Sequence, residues 1–323
     1  WVKESIDSVL AQTYADFELL VLDDCSSDNT VGIVRSYVDP RIRIVEGEHN
    51  VGLSENLNKG LSLSNTELLA RMDGDDIAEP TWLERGVAVL DEHPEIGICS
   101  FGFQFFGTKS TSVRFPEHHD DSMAQMLFGC TVIIPVLRKS VFTDHNFRYS
   151  TDAFPAEDYM MWAHCYRVAT VYNVQETMFH YRTHATQIST AKRQAQIEKS
   201  NAVRRYMLEW LSPNLEESEI RYFLESFVPG AINDSSDLHI MQDYAKKMVE
   251  KNDVIGHFSH EALVRKFHSH IVQSLYHAIV VRYFSSGYSI RRYCRYIFSG
   301  LAFHTEYKYE IKFLVKSLLH KKK

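Results

Sequence analysis

The sequence predicts an α/β fold, with a mixed, mainly parallel sheet between helices, followed by an α-helical C-terminal region. Three observations predict it. Short apolar runs alternate with segments of helical period over the first hundred residues, the pattern of strands laid between helices. Two of those runs end in aspartate clusters, Asp23-Asp24 and Asp73-Gly74-Asp75-Asp76, and open α/β sheets bind ligands beyond the carboxyl ends of their strands. From Arg193 onward the strand signal disappears, and apolar residues recur only at helical spacing.

Val2, Ile6, Val9 and Leu10 predict a helix over 2–12. Residues 17–22 are a short, mostly apolar run, the composition of a buried strand. It stops at a stretch dense in capping side chains, 23–30, and a helix follows through Val31, Val34 and Val38 to Pro40. Residues 41–45 alternate like a strand, 53–63 read as a helix, 67–72 as a strand, and 82–90 as a helix ended by His93-Pro94. Strand character returns over 96–106. Beyond it, 122–128 and 157–167 suggest helices, and 171–174 and 177–182 suggest two strands. Val203, Tyr206, Met207 and Trp210, then Val264, Phe267, Ile271, Leu275 and Ala278, mark the helical remainder.

The composition of the 323 residues, 45% hydrophobic and 24% charged, excludes disorder, collagen and coiled coil. The length suits one large or two modest domains. The longest apolar runs are short, as at Ala278–Val281 between His277 and Arg282, far from the ~18 residues of a membrane span. Five scattered cysteines without zinc-site spacing read as buried, reduced thiols of a cytosolic protein. The net charge of −7 conceals an asymmetry: 261–323 holds twelve basic residues, Lys321, Lys322 and Lys323 among them, against Glu261, Glu306 and Glu310. An acidic body argues against nucleic acid as a partner. In the basic tail, Phe284, Tyr288, Tyr293, Tyr296, Ile297 and Phe298 lie among Arg282, Arg291, Arg292 and Arg295. That mixture suits either a solvated helical face or attachment to an anionic membrane surface.

Three carboxylates within four residues repel one another unless a cation or hydrogen-bond donors neutralise them. An Asp-x-Asp turn can hold Mg²⁺ or Mn²⁺ through one or two carboxylates, with substrate phosphates filling other positions. The plain alternative is a solvated turn, and for Asp24 it is a cap on the following helix.

The segments Ser5–Tyr14, Phe17–Thr30, Asn50–Gly60, Met72–Asp76, Ala156–Trp162 and His180–His184 together resemble the family 2 inverting glycosyltransferases, nucleotide-sugar enzymes with a GT-A fold. The resemblance implies a GT-A domain over 1–192, with 1–106 as its nucleotide-binding half and 107–192 as its acceptor half. A helical region over 193–323 follows. It implies that Asp23 or Asp24 hydrogen-bonds the uracil or ribose of a UDP-sugar, that Asp73 lies near the ribose and diphosphate, and that Asp75 ligates Mn²⁺ or Mg²⁺. Asp158 is then the general base, with Glu157 its rival, and Arg182 and His184 return to the diphosphate or metal. The implied partners are a nucleotide-sugar donor and a glycan or lipid-linked acceptor, in the cytoplasm or at the inner face of the membrane, in cell-surface polysaccharide synthesis.

Inverting transfer is a single displacement, needing a carboxylate to take the acceptor proton and stabilisation of the leaving diphosphate. A nucleotidyltransferase would also use paired aspartates, but no Gly-rich basic phosphate loop opens the chain. An inactive GT-A-fold subunit of a polysaccharide-assembly complex is the non-enzymatic alternative. The sequence departs from the family pattern in two places. A central apolar strand usually precedes the first helix, so a strand ahead of Trp1 is expected. Cys25 stands where glycine is common.

Overall fold

The computed structural model describes residues 1–319 except Lys109, Ala185, Thr186, Phe303 and Thr305. In chain order the strands are Leu19–Asp23 (β1), Ile42–Glu46 (β2), Leu68–Ala70 (β3), Ile77–Ala78 (β4), Ile96–Gly107 (β5), Ser112–Val113 (β6), Val136–Arg138 (β7) and Thr170–Thr183 (β8). The helices are Val2–Leu10 (α1), Thr30–Arg35 (α2), Leu53–Leu63 (α3), Trp82–Glu92 (α4), His119–Met126 (α5), Ser140–Thr143 (α6), Glu157–Cys165 (α7), Ile188–Ala191 (α8) and Arg193–Leu211 (α9). They continue with Glu217–Tyr222 (α10), Ser235–Ile255 (α11), His260–Ile279 (α12), Ile290–Ile297 (α13) and Tyr307–Leu319 (α14). The chain divides into two compact units, Trp1–Val203 and Arg204–Lys323. The boundary expected at residue 192 lies at the start of α9, the helix in which the division falls.

The first unit is α/β with a mixed sheet. β1 and β2 pair in parallel, and a second sheet runs in the order β3-β7-β5-β8-β4, with β6 on β5. The long pairings, β1–β2 and β5–β8, are parallel, and the short ones are antiparallel. The two strands expected over 171–182 are one strand, β8, whose register on β5 shifts between Val174 and Thr177. Gly102 faces that irregularity: a Cβ there would lie 3.1 Å from the carbonyl oxygens of Glu176 and Val113. β4, β6 and β7 have only two or three residues, too few to show a period in sequence. The core lies between α4 and the second sheet, where Trp82 meets Phe179 edge to face at 5.3 Å and Leu90, Cys99 and Phe101 are buried. Cys99 and Cys165 are buried as expected, whereas Cys25 and Cys294 are exposed because they sit on a turn and a helix surface.

Between β1 and β3 the sheet is interrupted. Among the described residues β1 pairs only with β2, and β3 only with β7. A cavity of about 720 Å³ separates them, lined along one side by residues of 16–22 and along the other by 66–72, with Leu57, Leu61, Trp82 and Leu83 against it. Both edges present backbone donors and acceptors without strand partners, and both flank an apolar wall.

The second unit is helical, as the sequence predicts. Asp234 caps α11 by accepting from the backbone of Ser236 and Asp237, and Gly256, at φ 76°, ends it in a left-handed turn. Asn252 and Phe258 exchange hydrogen bonds of 2.8 and 3.0 Å across the connection to α12, whose cap is Ser259. The aromatic residues of the basic tail do not form one surface. Phe284 and Tyr296 are buried, and Phe313 stacks on Phe284 at 4.9 Å, because a short helical unit needs these large rings for its core. Lys321, Lys322 and Lys323 lie outside the described residues. No helix among the described residues is long and apolar enough to cross a membrane.

A chain carrying a five-residue apolar strand joined by a turn ahead of Trp1 is expected to melt roughly 5–10 °C above 1–323, a few kcal/mol for a protein of this size. Equal melting temperatures would show that the β1–β3 cavity does not take a strand.

Candidate active site

Asp23 and Asp24 share a strand end but not a task. Asp23 is buried as the last residue of β1. Its Oδ2 accepts from the Ser26 N–H at 3.1 Å, while its Oδ1 is buried without a hydrogen-bond partner. Asp24 spends both oxygens on the loop before α3, accepting from Val51 N–H at 2.8 Å and Gly52 N–H at 2.9 Å. The Asn50 side chain closes the same loop by donating to the Asp24 carbonyl at 3.1 Å. Asp23 therefore keeps one acceptor oxygen unused, and Asp24 shapes the loop beside it. Cys25 follows at φ 63°, a left-handed conformation that glycine adopts without strain.

The second acidic turn leaves β3 and is neutralised residue by residue. Asp73 accepts from the Arg71 guanidinium at 2.9 Å, and its carbonyl accepts from Ser5 Oγ at 3.2 Å, which ties the turn to α1. Gly74 has open space around it. Asp75 Oδ2 lies 3.1 Å from His184 Nε2, and the Asp75 carbonyl accepts from Arg182 Nε at 2.7 Å. Asp76 is buried and accepts from the Arg182 N–H at 2.9 Å. Burial pushes its carboxyl up to about 8; that hydrogen bond opposes the shift, and the charges of Asp73 and Asp75 add to it.

Arg182 is not a free cation. Its guanidinium pairs with Glu4 at 2.8 Å and lies between the rings of Trp1 and Phe106, at 4.3 and 4.5 Å. β8 delivers Arg182 and His184 two residues apart, the spacing that puts side chains on one side of a strand. Both reach the Asp75 segment, Arg182 through the backbone and His184 through the carboxylate.

Asp158 stands in the first turn of α7, where its Oδ1 accepts from the Tyr159 N–H at 2.6 Å. It remains partly accessible to solvent, whereas Glu157 is buried with Oε2 unpartnered. Burial raises the pKa of both carboxyls. For Asp158 the Arg71 charge is the main force pulling it back down; for Glu157 the neighbouring Asp158 adds to the rise.

Arg71 is the residue that sequence reasoning missed. Burial works against its charge, yet Asp73, Tyr149, Asp158 and Glu157 together hold its pKa above the usual value. Its Nε is buried without a partner. The signal was present, since an arginine sits two positions ahead of an aspartate cluster at a strand end. Nothing in the sequence says that α7 comes to the same place.

The chemistry of the donor set bears on a cation. Among the described residues no three His, Cys, Asp or Glu side chains converge as a preformed cage. Asp75 and His184 supply one carboxylate oxygen and one imidazole nitrogen, which fits a divalent ion whose other positions are filled by phosphate oxygens and water.

The sequence model described as Glycosyl transferase family 2 matches residues 1–145. A Haemophilus influenzae protein described as an uncharacterized glycosyltransferase is 30% identical over 220 residues, 64% of this chain and 68% of that protein. The Escherichia coli protein UDP-Glc:alpha-D-GlcNAc-diphosphoundecaprenol beta-1,3-glucosyltransferase WfgD is 29% identical over 163 residues, half of this chain and 62% of its own length. Among solved structures, S. aureus TarS 1-349 in complex with UDP-GlcNAc aligns with a TM-score of 0.58 at 17% identity, over 89% of each chain. The mannosyltransferase PcManGT from Pyrobaculum calidifontis, in complex with GDP-Man and Mn²⁺, aligns with a TM-score of 0.50 at 14% identity. That alignment covers 99% of this chain and 84% of the other. At these identities the structural likeness concerns the fold, which is GT-A.

Asp24→Ala is expected to lower stability by about 1.5–3 kcal/mol, the worth of hydrogen bonds to a charged group, read as a fall in denaturation midpoint. An unchanged midpoint would show that the 50–52 loop does not depend on it.

Proposed function

The chain belongs to glycosyl transferase family 2, and from that premise we propose that it is an inverting enzyme moving a sugar from a UDP-sugar to a glycan or lipid-linked acceptor in cell-surface polysaccharide synthesis. The observation that supports this most is the charge shared around Arg71. Asp73, in the turn after β3, and Asp158, at the start of α7, act on one largely buried guanidinium. The donor-side turn and the candidate base therefore belong to one pocket of charge. The relatives lend the donor and acceptor classes: TarS is described with UDP-GlcNAc, and WfgD by a UDP-glucose donor and a diphosphoundecaprenol acceptor.

In this proposal Asp23 Oδ1, the buried acceptor without a partner, receives a donor N–H or O–H of the uridine. Asp73 lies toward the ribose and diphosphate. Asp75 and His184 hold Mn²⁺ or Mg²⁺, which when bound stabilises negative charge on the leaving diphosphate. Arg182, which holds the Asp75 carbonyl and is itself held by Glu4, Trp1 and Phe106, stands with His184 as the pair that returns to the diphosphate or metal. Asp158 takes the proton of the acceptor hydroxyl. Glu157, buried with Oε2 unpartnered, is the rival base. The acceptor is met at an anionic membrane surface reached through 261–323. The one other reading is an inactive subunit that binds without transfer. A panel of UDP-sugars with Mn²⁺, read by release of UDP, separates the two.

Asp158→Asn is expected to cut kcat by roughly 10²–10⁴-fold, the range for a general base, with UDP affinity by calorimetry nearly unchanged. Glu157→Gln keeps most of the activity. The reverse pattern would move the base to Glu157, and full activity in both would remove α7 from the chemistry.

Arg71→Met removes the cation that lowers the Asp158 pKa. A base works only when ionised, so the acid limb of the pH–rate profile is expected to move to higher pH in the variant. A profile that merely loses height, without moving, would make Arg71 a structural residue only.

A further inference from the structure

We propose that α14 is the membrane-contacting element of the second unit, lying flat on an anionic lipid surface. This rests on the proposal that the acceptor is met at a membrane, and it replaces the aromatic residues of 284–298 as the contact. The helix faces its own core with Phe313, Glu310 and Ser317, all buried. Away from that core Ile311, Leu314, Val315, Leu318 and Leu319 are 37–74% exposed. At 100° per residue these five fall within an arc of about 140° on a helix about 20 Å long. Solvated helices present polar side chains on that side. Five large apolar residues there form a stripe without a protein partner among the described residues.

The charges around the stripe choose the occupant. Lys308, Lys312 and Lys316 recur every four residues along one border of it. Exposed Arg291 and Arg295 stand on α13, the helix packed against α14. The acidic residue of α14 does not oppose them, because Glu310 is buried and accepts a hydrogen bond from Tyr296 Oη at 2.5 Å. Lys312 Nζ donates to the Tyr276 hydroxyl at 2.8 Å, and Lys316 lies 5.0 Å over the Tyr288 ring. Lys308 pairs with Glu306 just ahead of the helix at 2.5 Å, so the border's uncompensated charge lies at Lys312 and Lys316, whose stems lie against the unit. An apolar arc with a one-sided cationic border matches the boundary between acyl chains and anionic headgroups. No described helix is apolar enough to span, so the contact is interfacial.

The test is co-sedimentation of 1–323 with phosphatidylcholine vesicles with and without phosphatidylserine. Binding is expected only with phosphatidylserine and is expected to fall as salt rises. Leu314→Ser with Leu318→Ser should weaken it at least about tenfold. Lys308→Glu with Lys316→Glu should weaken it about fivefold or more per position. All four residues are on the surface, so far-UV circular dichroism and melting should match the parent. The charge variant also tests the face if the leucine variant fails to fold. UDP release with a soluble acceptor should be unchanged in both variants, which separates failure here from failure of the transfer reaction. Equal binding to both vesicle types, or undiminished binding by the variants, would overturn the proposal. So would a dimer that the leucine variant dissociates, which would give the stripe to a second copy of the chain.

Discussion

Carboxylates gathered at strand ends are the constraint on which the first unit is built. Asp23, Asp73, Asp75, Asp76, Glu157 and Asp158 bring more negative charge to one edge of the fold than unpaired groups tolerate. Two guanidinium groups answer it in different ways. Arg71 feels charges from the turn after β3 and from α7, pairing with Asp73 and lowering the pKa of Asp158. Arg182 touches no carboxylate of the turn with its side chain; it takes the Asp75 carbonyl and offers its own N–H to Asp76. One arginine balances charge and the other sets backbone shape. The turn is thereby held with the Asp75 carboxylate against the His184 ring.

The same division of labour explains why adjacent acidic residues are not equivalent. Asp23 and Asp24 are neighbours, but successive side chains at a strand end point to opposite sides. One carboxylate is turned into the fold with an idle oxygen, and the other outward to the 50–52 loop. Glu157 and Asp158 differ likewise on α7, where one step around the helix separates a buried carboxyl from one that solvent reaches.

The second unit is stabilised by local rules. Asp234 and Ser259 begin helices, Gly256 ends one, and Asn252 clamps the turn between them. Its large rings are consumed by the core, since a small helical unit has little else with which to bury area. What remains on the surface of α14 is aliphatic, not aromatic.

By itself the sequence determined whatever depends on near neighbours in the chain. Apolar periodicity placed α1, α3, α4 and the long strands, because burying one face of a helix or strand is written at fixed spacing. Capping residues marked the helix starts, and the ordered motifs carried the family and the GT-A fold. Short strands such as β4 and β7 escaped, because two or three residues hold no period and exist only through their partners in β8, β5 and β3. The tertiary structure decided the rest: that Asp23 and not Asp24 keeps an idle oxygen, that Arg182 holds the Asp75 carbonyl and Glu4, and that the charges of Asp73 and Asp158 act on Arg71. Each depends on groups between about twenty and more than a hundred residues apart in sequence. Charge and hydrogen bonding act through space, and distance along the chain does not reveal which groups the fold brings together.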